Sequence, residues 1–386
     1  MNYHEIINWI EYVGIERFYV YATTKAYARL QTKLAKKRLK SMKGGYNGTN
    51  KEYKEKVVSY WKKYGVKPLK MWYDMYCAGK DSYDPRYVPN SMWHNCIIPY
   101  FNYHLARKAY RDKGMFNRFL SNVRQPETVV KRTVGYFYDG DGDHIISREE
   151  ATRICEQEEH LIFKPSIDSG GGRRIAFYDR DDPNSESIEA LFDEFGLGFV
   201  AQRLIKQHAD LAKINNNSSV NSVRVMSFHF NDEVHILSAQ LRMGGMNSRI
   251  DNVTAGGIAC AIKPDGWLED KAVNRKSEWT DHHESGIKFK DICVPNYEKI
   301  IETTKRLHCQ MPYYNLIGWD FAVAEDGEPV FIEMNFLPDQ NQFASGPSFG
   351  DLSEAVFEDV FINKSLEKAF NHENRPLFKR KRIIKC

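Results

Sequence analysis

The sequence predicts an α+β protein with mainly antiparallel sheets and a helical amino-terminal region. Two observations carry that prediction. From about residue 125 onward, short runs rich in β-branched and aromatic residues recur between turn residues, with few helical stretches to separate them. The regular βαβ alternation of a parallel sheet is therefore missing. Before about residue 120 the patterning is helical instead, with lysine-rich polar faces.

Composition is consistent with a folded protein of more than one unit. The 386 residues are 42% hydrophobic and 27% charged, which excludes disorder throughout. At roughly 150 residues per domain, two to three units are expected. No window approaches about 18 uninterrupted apolar residues. The opening MNYHEIINWIEYVGIERF places acidic residues where a secretory leader needs an apolar run. Seven cysteines, odd in number and without a CxxC pair, argue against a disulfide framework or structural zinc and make a reducing cytosol the expected compartment.

The first elements are basic. Residues 33–70 hold twelve lysines and one arginine against two glutamates, a local charge of +11 in a chain of net charge +4. The spacing predicts one helix ending at Gly44-Gly45 and a second from Asn50 to Tyr64, closed by Gly65. Tyr53, Tyr60, Trp61 and Tyr64 are interleaved among the lysines. Such a segment is either a solvated face whose aromatics pack inward, or a docking surface for a polyanion or an anionic membrane. Helical patterning continues over about 90–120. Strands follow at ETVVKR, VGYFYD, LIFKPS, RRIAFYD, GFVAQRLI, SVRVMSFHF, EVHILSAQLRM, GIACAIKP, IGWDFAVA and PVFIEMNF. Helices are expected near 149–157, 186–194, 295–308 and 350–372, before the basic tail FKRKRIIKC.

The most informative stretch is GWDFAVAEDGEPVFIEMNFLP, residues 318–338. It reads as a hairpin turning at Glu325-Asp326-Gly327, which sets Asp320 across from Glu333 and Asn335. Glu333 and Asn335 are two apart and share a face. Two carboxylates and an amide among Ile, Phe and Val call for a neutralising partner, and a hard divalent cation suits them. The second stretch is LIFKPSIDSGGGRRI, residues 161–175, where a strand delivers Lys164 ahead of Ser169, Gly170, Gly171 and Gly172. Backbone N–H groups of such a loop approach phosphate oxygens closely. It is neither a Walker A loop nor a GxGxxG turn.

Read together, these motifs resemble the ATP-grasp superfamily, in which two α+β subdomains clasp ATP. The ordered match runs over about residues 85–345, and the block VRV…LRMGG…IDN…GGI most resembles its sugar-transfer-associated branch, with glutamate-ligase-like elements. The resemblance implies roles residue by residue. Asp320, Glu333 and Asn335 would hold Mg²⁺. Lys113, in RDKGMFNRF, and Lys164 with the Ser169–Gly172 loop would hold the phosphates of ATP. Gln202 stands where many members carry Glu, and Arg203, Leu204 and Ile205 would form the hinge at adenine. Asp210 would reach the ribose. Arg224, Arg242 and Asn252 would contact the phosphoryl group and an acyl phosphate.

That resemblance implies an ATP- and Mg²⁺-dependent ligase joining a carboxylate to an amine, in the synthesis of bacterial surface polysaccharide. The expected partner is a small-molecule, lipid-linked or nucleotide-linked sugar substrate. The expected organisation is a basic helical region (1–110), a lid half (111–205), a catalytic half (206–345) and a C-terminal helix with a tail (346–386). A cytoplasmic location follows, with peripheral contact at the inner face of the membrane through residues 33–70 and no nucleic-acid partner. Two rivals remain: a phosphotransferase on the same fold, and a non-catalytic polyanion-binding or membrane-surface protein built around residues 33–70.

Three further features imitate sites. DGDGDHIISREE, residues 139–150, has the acid spacing of a calcium loop, yet His144 replaces its turn glycine and Ser147 and Glu150 fit a capping box. His282-His283 reads as part of a polar loop. Cys96 and Cys260 read as inert core residues.

Overall fold

The computed structural model describes residues 16–42, 51–77, 83–102, 110–120, 122–167, 174–246, 248–251, 256–366 and 384–385. Gly44-Gly45, Asn50, the Ser169–Gly172 loop and Asn252 lie outside the described residues.

Two long helices open the fold, α1 (Glu16–Ser41) and α2 (Lys51–Lys62). On α2, Tyr53, Val57 and Trp61 recur every four residues and are buried, so the aromatics face inward while the lysines lie outside or pair. Lys54 reaches Asp74 at 3.2 Å and Lys63 reaches Glu354 at 2.7 Å. One basic residue turns partly inward. Arg38 lies 3.9 Å above the Phe343 ring and donates to Ser277 Oγ at 2.6 Å, and burial pulls it down to about 10. A short strand β1 (Val66–Lys67) pairs in parallel with Ile384–Lys385. Helical turns follow at Met71–Tyr76, Asn90–Met92 and Ile98–Phe101, the last two joined by a π-turn over Trp93–Ile97.

The smaller sheet has six antiparallel strands in the order β4-β3-β2-β7-β5-β6. They are β2 (Thr128–Thr133), β3 (Tyr136–Asp139), β4 (Ile145–Ile146), β5 (His160–Pro165), β6 (Ala176–Asp179) and β7 (Phe199–Arg203). Helices α3 (Arg148–Glu156) and α4 (Ile188–Phe195) seal one face around Phe163, Phe192 and Phe199. The calcium-loop look-alike is the β3–β4 turn. Asp139 accepts from the amides of Gly142 and Asp143 at 2.7 and 2.9 Å, and Ser147 caps α3 by accepting from the Glu150 amide at 3.1 Å.

The larger sheet has seven antiparallel strands in the order β12-β11-β10-β9-β8-β13-β14. They are β8 (Ser222–Phe230), β9 (Glu233–Met243), β10 (Ile258–Ile262), β11 (Leu268–Asn274), β12 (Trp279–Thr280), β13 (Leu316–Val323) and β14 (Pro329–Asn335). Helix α5 (Tyr297–His308) shares its core through Ile300 and Leu307. Strand β13 is buried at every position, which explains the near-continuous apolar run in LIGWDFAV.

The amino- and carboxy-terminal segments, expected as separate regions, share one hydrophobic core. Trp61, Trp72 and Trp93 pack with Phe349 and Phe357 and with Phe228 of β8. The Trp61 and Phe357 rings are 4.6 Å apart. The helix expected over 350–372 is a helix at Ser353–Glu358 and a π-turn at Asp359–Asn363, up to the limit of the described residues near 366. Among the described residues no helix is long and apolar enough to cross a membrane.

Candidate active site

One face of four neighbouring strands gathers the charged residues. Across β13 and β14, Asp320 stands opposite Glu333 and Gly318 opposite Asn335, so the three polar groups share a face. On the other flank of β13, Arg224 of β8 stands opposite Asp320. One strand further, Arg242 of β9 stands opposite Ser222 of β8, two residues before Arg224. The strand period thus fixes Asn335, Glu333, Asp320, Arg224 and Arg242 on one surface.

The geometry of this surface is tight. Arg224 grips Asp320 through Nε, and through Nη2 at 2.6 Å, a bidentate pair between two buried side chains. Arg242 Nη1 approaches the same carboxylate at 3.5 Å. Lys113 Nζ lies 3.0 Å from Glu333 Oε2, and Asn335 Nδ2 donates to Glu333 Oε1 at 3.4 Å. Burial opposes ionisation of Glu333, yet the charges of Lys113 and Arg224 hold its carboxyl well below the usual range. Gly318 makes room for this packing. A Cβ there would lie 3.0 Å from Pro338 Cβ and 3.5 Å from Arg224 Nη1.

Lys164 arrives from the smaller sheet, on β5. Burial, and then the Lys113 charge, push its amine down to about 8. Lys164 Nζ contacts Gln202 Oε1 at 3.4 Å, and Gln202 Nε2 donates to Thr128 Oγ1 at 3.2 Å. Gln202 is thereby a buried bridge between strands β2, β5 and β7. A cleft of about 880 Å³ runs between the two sheets, lined by Lys113, Lys164, Arg242, Asp320 and Glu333 together with Arg203, Leu204 and Ile205. The Arg203 amide donates to Glu127 O at 2.9 Å, and its guanidinium turns outward to Glu158 at 2.7 Å and to Glu127. Apolar Ile162, Phe177 and Ile332 also line the cleft and suit a flat ring.

Not every expected residue comes together. Asp210 sits in a short helical turn, paired with Lys213 at 2.8 Å, and is absent from the lining of the cleft. His283 lies in a loop as expected, yet it is buried, with Nε2 bonded to Gly244 O at 2.9 Å. Cys260 is buried as expected, and burial pushes its thiol up to about 12.

Three contributors escaped the sequence reading. Asp251 accepts from the Ser222 amide at 3.1 Å and from its hydroxyl, close enough for its charge to act on Arg242. Its place inside the IDN motif was the available signal. Arg249 lies 3.7 Å above the Phe177 ring, linking the rims of the cleft. Lys206 lines the cleft just past the hinge.

Among the described residues no three His, Cys, Asp or Glu side chains form a ready-made metal cage. Magnesium needs none, since it typically takes one or two carboxylates plus substrate phosphates. Each oxygen of Asp320 has two lone pairs, and Arg224 uses one of each. Asp320 is balanced by Arg224 and Glu333 by Lys113, while Lys164 and Arg242 also line the cleft. A polyanion carrying its own cation completes that balance, so the residues fit.

Fold and site thus define a two-sheet clasp whose cleft suits a nucleotide triphosphate. A family model described as sugar-transfer associated ATP-grasp matches residues 112–356. The chain belongs to the sugar-transfer associated ATP-grasp family. No curated protein matches the sequence. Among solved structures, D-alanyl-alanine synthetase A from Vibrio cholerae is similar over 67% of this chain and 65% of its own, at 12% identity and a TM-score of 0.41. D-alanine–D-alanine ligase from Bacillus anthracis is similar over 68% of this chain and 69% of its own, at 13% identity and a TM-score of 0.38. The ATP-grasp ligase PsnB, solved with a minimal precursor, is similar over 64% of this chain and 60% of its own, at 14% identity and a TM-score of 0.37. The chain spans less than two thirds of the length of the synthetase and of PsnB.

Proposed function

We propose that the protein is an ATP-dependent carboxylate–amine ligase that works through an acyl phosphate. The observation that carries this reading is the alternation of charge on one strand face. Arg224 and Arg242 stand beside Asp320, and Lys113 beside Glu333, in a cleft walled by both sheets. Phosphoryl transfer asks little covalent chemistry of a protein; positioning and charge neutralisation do the work.

In this reading residues 111–205 form the lid half and 206–345 the catalytic half of the clasp. Lys113 and Lys164 would hold the phosphates of ATP. Leu204 and Ile205 meet the base. Asp320, Glu333 and Asn335 would hold Mg²⁺, which would supply neutralisation of phosphate charge. Arg224 and Arg242 orient the transferred phosphoryl group and shield the acyl phosphate, and the closed cleft excludes water from it. The family description supports a sugar-containing or sugar-linked substrate in surface polysaccharide synthesis, and ATP supply places the reaction in the cytoplasm.

The test is an ATP-consumption screen over sugar acids, amino sugars and amino acids, with ADP and phosphate followed separately. The ligase reading predicts both products only when an acid and an amine are present together. ADP without phosphate, with a phosphorylated product, would replace it by a phosphotransferase.

A further inference from the structure

The helical amino-terminal region lies largely outside the family match, yet it reaches the segment that follows the site strand β14. Just beyond β14, the segment 338–342 is stapled to residues 88–93. Trp93 Nε1 donates to Pro338 O at 2.7 Å, and the side-chain amides of Gln340 and Gln342 donate to Val88 O at 3.1 and 2.7 Å. These bonds set His94, in the π-turn Trp93–Ile97, beside Asp339. His94 Nε2 lies 3.4 Å from Asp339 Oδ1. The two differ sharply in exposure, 4% for the histidine side chain and 72% for the aspartate. The imidazole is held in place by the Tyr27 ring, packed edge-on at 4.5 Å. π-turns of this kind are common at functional positions.

Three basic groups act on Asp339. Desolvation works to raise its carboxyl, but His94, Arg224 and Arg242 together hold it below its ordinary value. Its own charge acts on the phenols of Tyr27 and Tyr76. Asp339 is absent from the lining of the nucleotide cleft, whereas Arg242 lines it. An open carboxylate backed by a buried imidazole therefore stands outside the lining of the nucleotide cleft, one residue past Pro338, which packs with Arg224 around Gly318.

The geometry points to a subsite for the amine substrate, in which Asp339 binds a primary ammonium group and His94 accepts its proton. This inference deepens the ligase reading and rests on it. The ammonium docks on Asp339, and one proton passes through that exposed carboxylate to His94 Nε2, buried 3.4 Å behind it, and returns to solvent by the same route. The freed nitrogen lone pair attacks the acyl carbon and forms the C–N bond. The C–O bond to phosphate breaks, and the departing phosphate takes the second nitrogen proton, leaving a neutral amide and hydrogen phosphate. Asp339 binds, His94 moves the proton, and Arg224 and Arg242 keep the acyl phosphate within reach.

Hydroxylamine separates the two half-reactions, because it is uncharged near neutral pH and traps an acyl phosphate without an ammonium site. The experiment compares full-length wild type, Asp339→Asn and His94→Gln. Each is given ATP, Mg²⁺ and the acid panel, with either hydroxylamine or the amines glycine, ethanolamine and glucosamine. The inference predicts hydroxamate from all three proteins. Amine-dependent phosphate release falls roughly 100-fold in His94→Gln. In Asp339→Asn the KM for amine rises roughly tenfold, the loss of one charge-assisted contact. The His94→Gln deficit shrinks as pH rises and the amine loses its proton unaided, a recovery that a misfolded variant does not show. Unchanged amine kinetics in Asp339→Asn, whose exposed side chain is not needed for folding, would overturn the subsite. Equal loss of hydroxamate and amine turnover would overturn it as well. Absence of hydroxamate from wild type would instead sink the ligase reading, and the subsite with it.

Discussion

Arg224 stands directly across β8 and β13 from Asp320 and holds both of its carboxylate oxygens. Both side chains are buried, so each charge depends on the other for neutralisation, and Asp320 has Arg242 at 3.5 Å as a second counter-charge. Deleting one partner leaves the other charge stranded. Asp320→Ala should cost about 3–5 kcal/mol of stability, read from urea midpoints. Arg224→Met combined with Asp320→Leu should cost less than either single change, while ATP turnover is lost in all three. Additive destabilisation in the double variant would show that the pair is not coupled as described.

Lys164 is held near pH 8 by burial and by Lys113. Around that pH the free enzyme carries part of its population with a neutral amine. Phosphates favour the charged form, so ATP binding should draw in a proton between about pH 8 and 9. Calorimetry in buffers of different ionisation enthalpy measures that uptake. Lys164→Met should abolish it and weaken ATP binding.

A buried chain of hydrogen bonds makes stability depend on acidity away from the site. Trp319 Nε1 donates to Ser227 Oγ at 2.7 Å, Ser227 meets His308 Nδ1 at 2.6 Å, and His308 Nε2 meets Tyr314 O at 3.0 Å. Burial lowers His308 from 6.5 to about 4, so between those values the unfolded chain binds the extra proton. The stabilisation is fully present above pH 6.5 and is lost as pH falls toward 4, on the order of 3 kcal/mol in all. Unfolding midpoints across that window should fall for wild type and flatten for His308→Gln.

The shared terminal core implies joint unfolding. Trp61, fully buried against Phe357, anchors α2 to the carboxy-terminal helix. Trp61→Ala should cost about 3–5 kcal/mol and lower the midpoint of the whole protein. A separate early transition confined to the amino-terminal helices would contradict the shared core.

The strand face of the site was readable because strand alternation and a Glu-Asp-Gly turn are local signals. They place Asp320 opposite Glu333 without reference to the rest of the chain, and the register agrees. Long-range relations were not readable. Nothing near Trp61 announces Phe357, and nothing near His94 announces Asp339, because those pairs form only when both ends of the chain close on the large sheet. His283 lies in a loop as its polar neighbours suggest, but its burial was not readable, because the hydrogen bond to Gly244 O that draws it inside is long-range. The basic residues of 33–70 divide likewise, since Arg38 is half-buried against Phe343 while Lys51 and Lys56 remain exposed.

The most direct test of carboxylate activation follows the oxygen atoms. With an acid from the screen whose carboxylate carries a heavy oxygen isotope, the acyl phosphate route predicts one labelled oxygen in each phosphate released. Phosphate released without label, while the amide still forms, would contradict it.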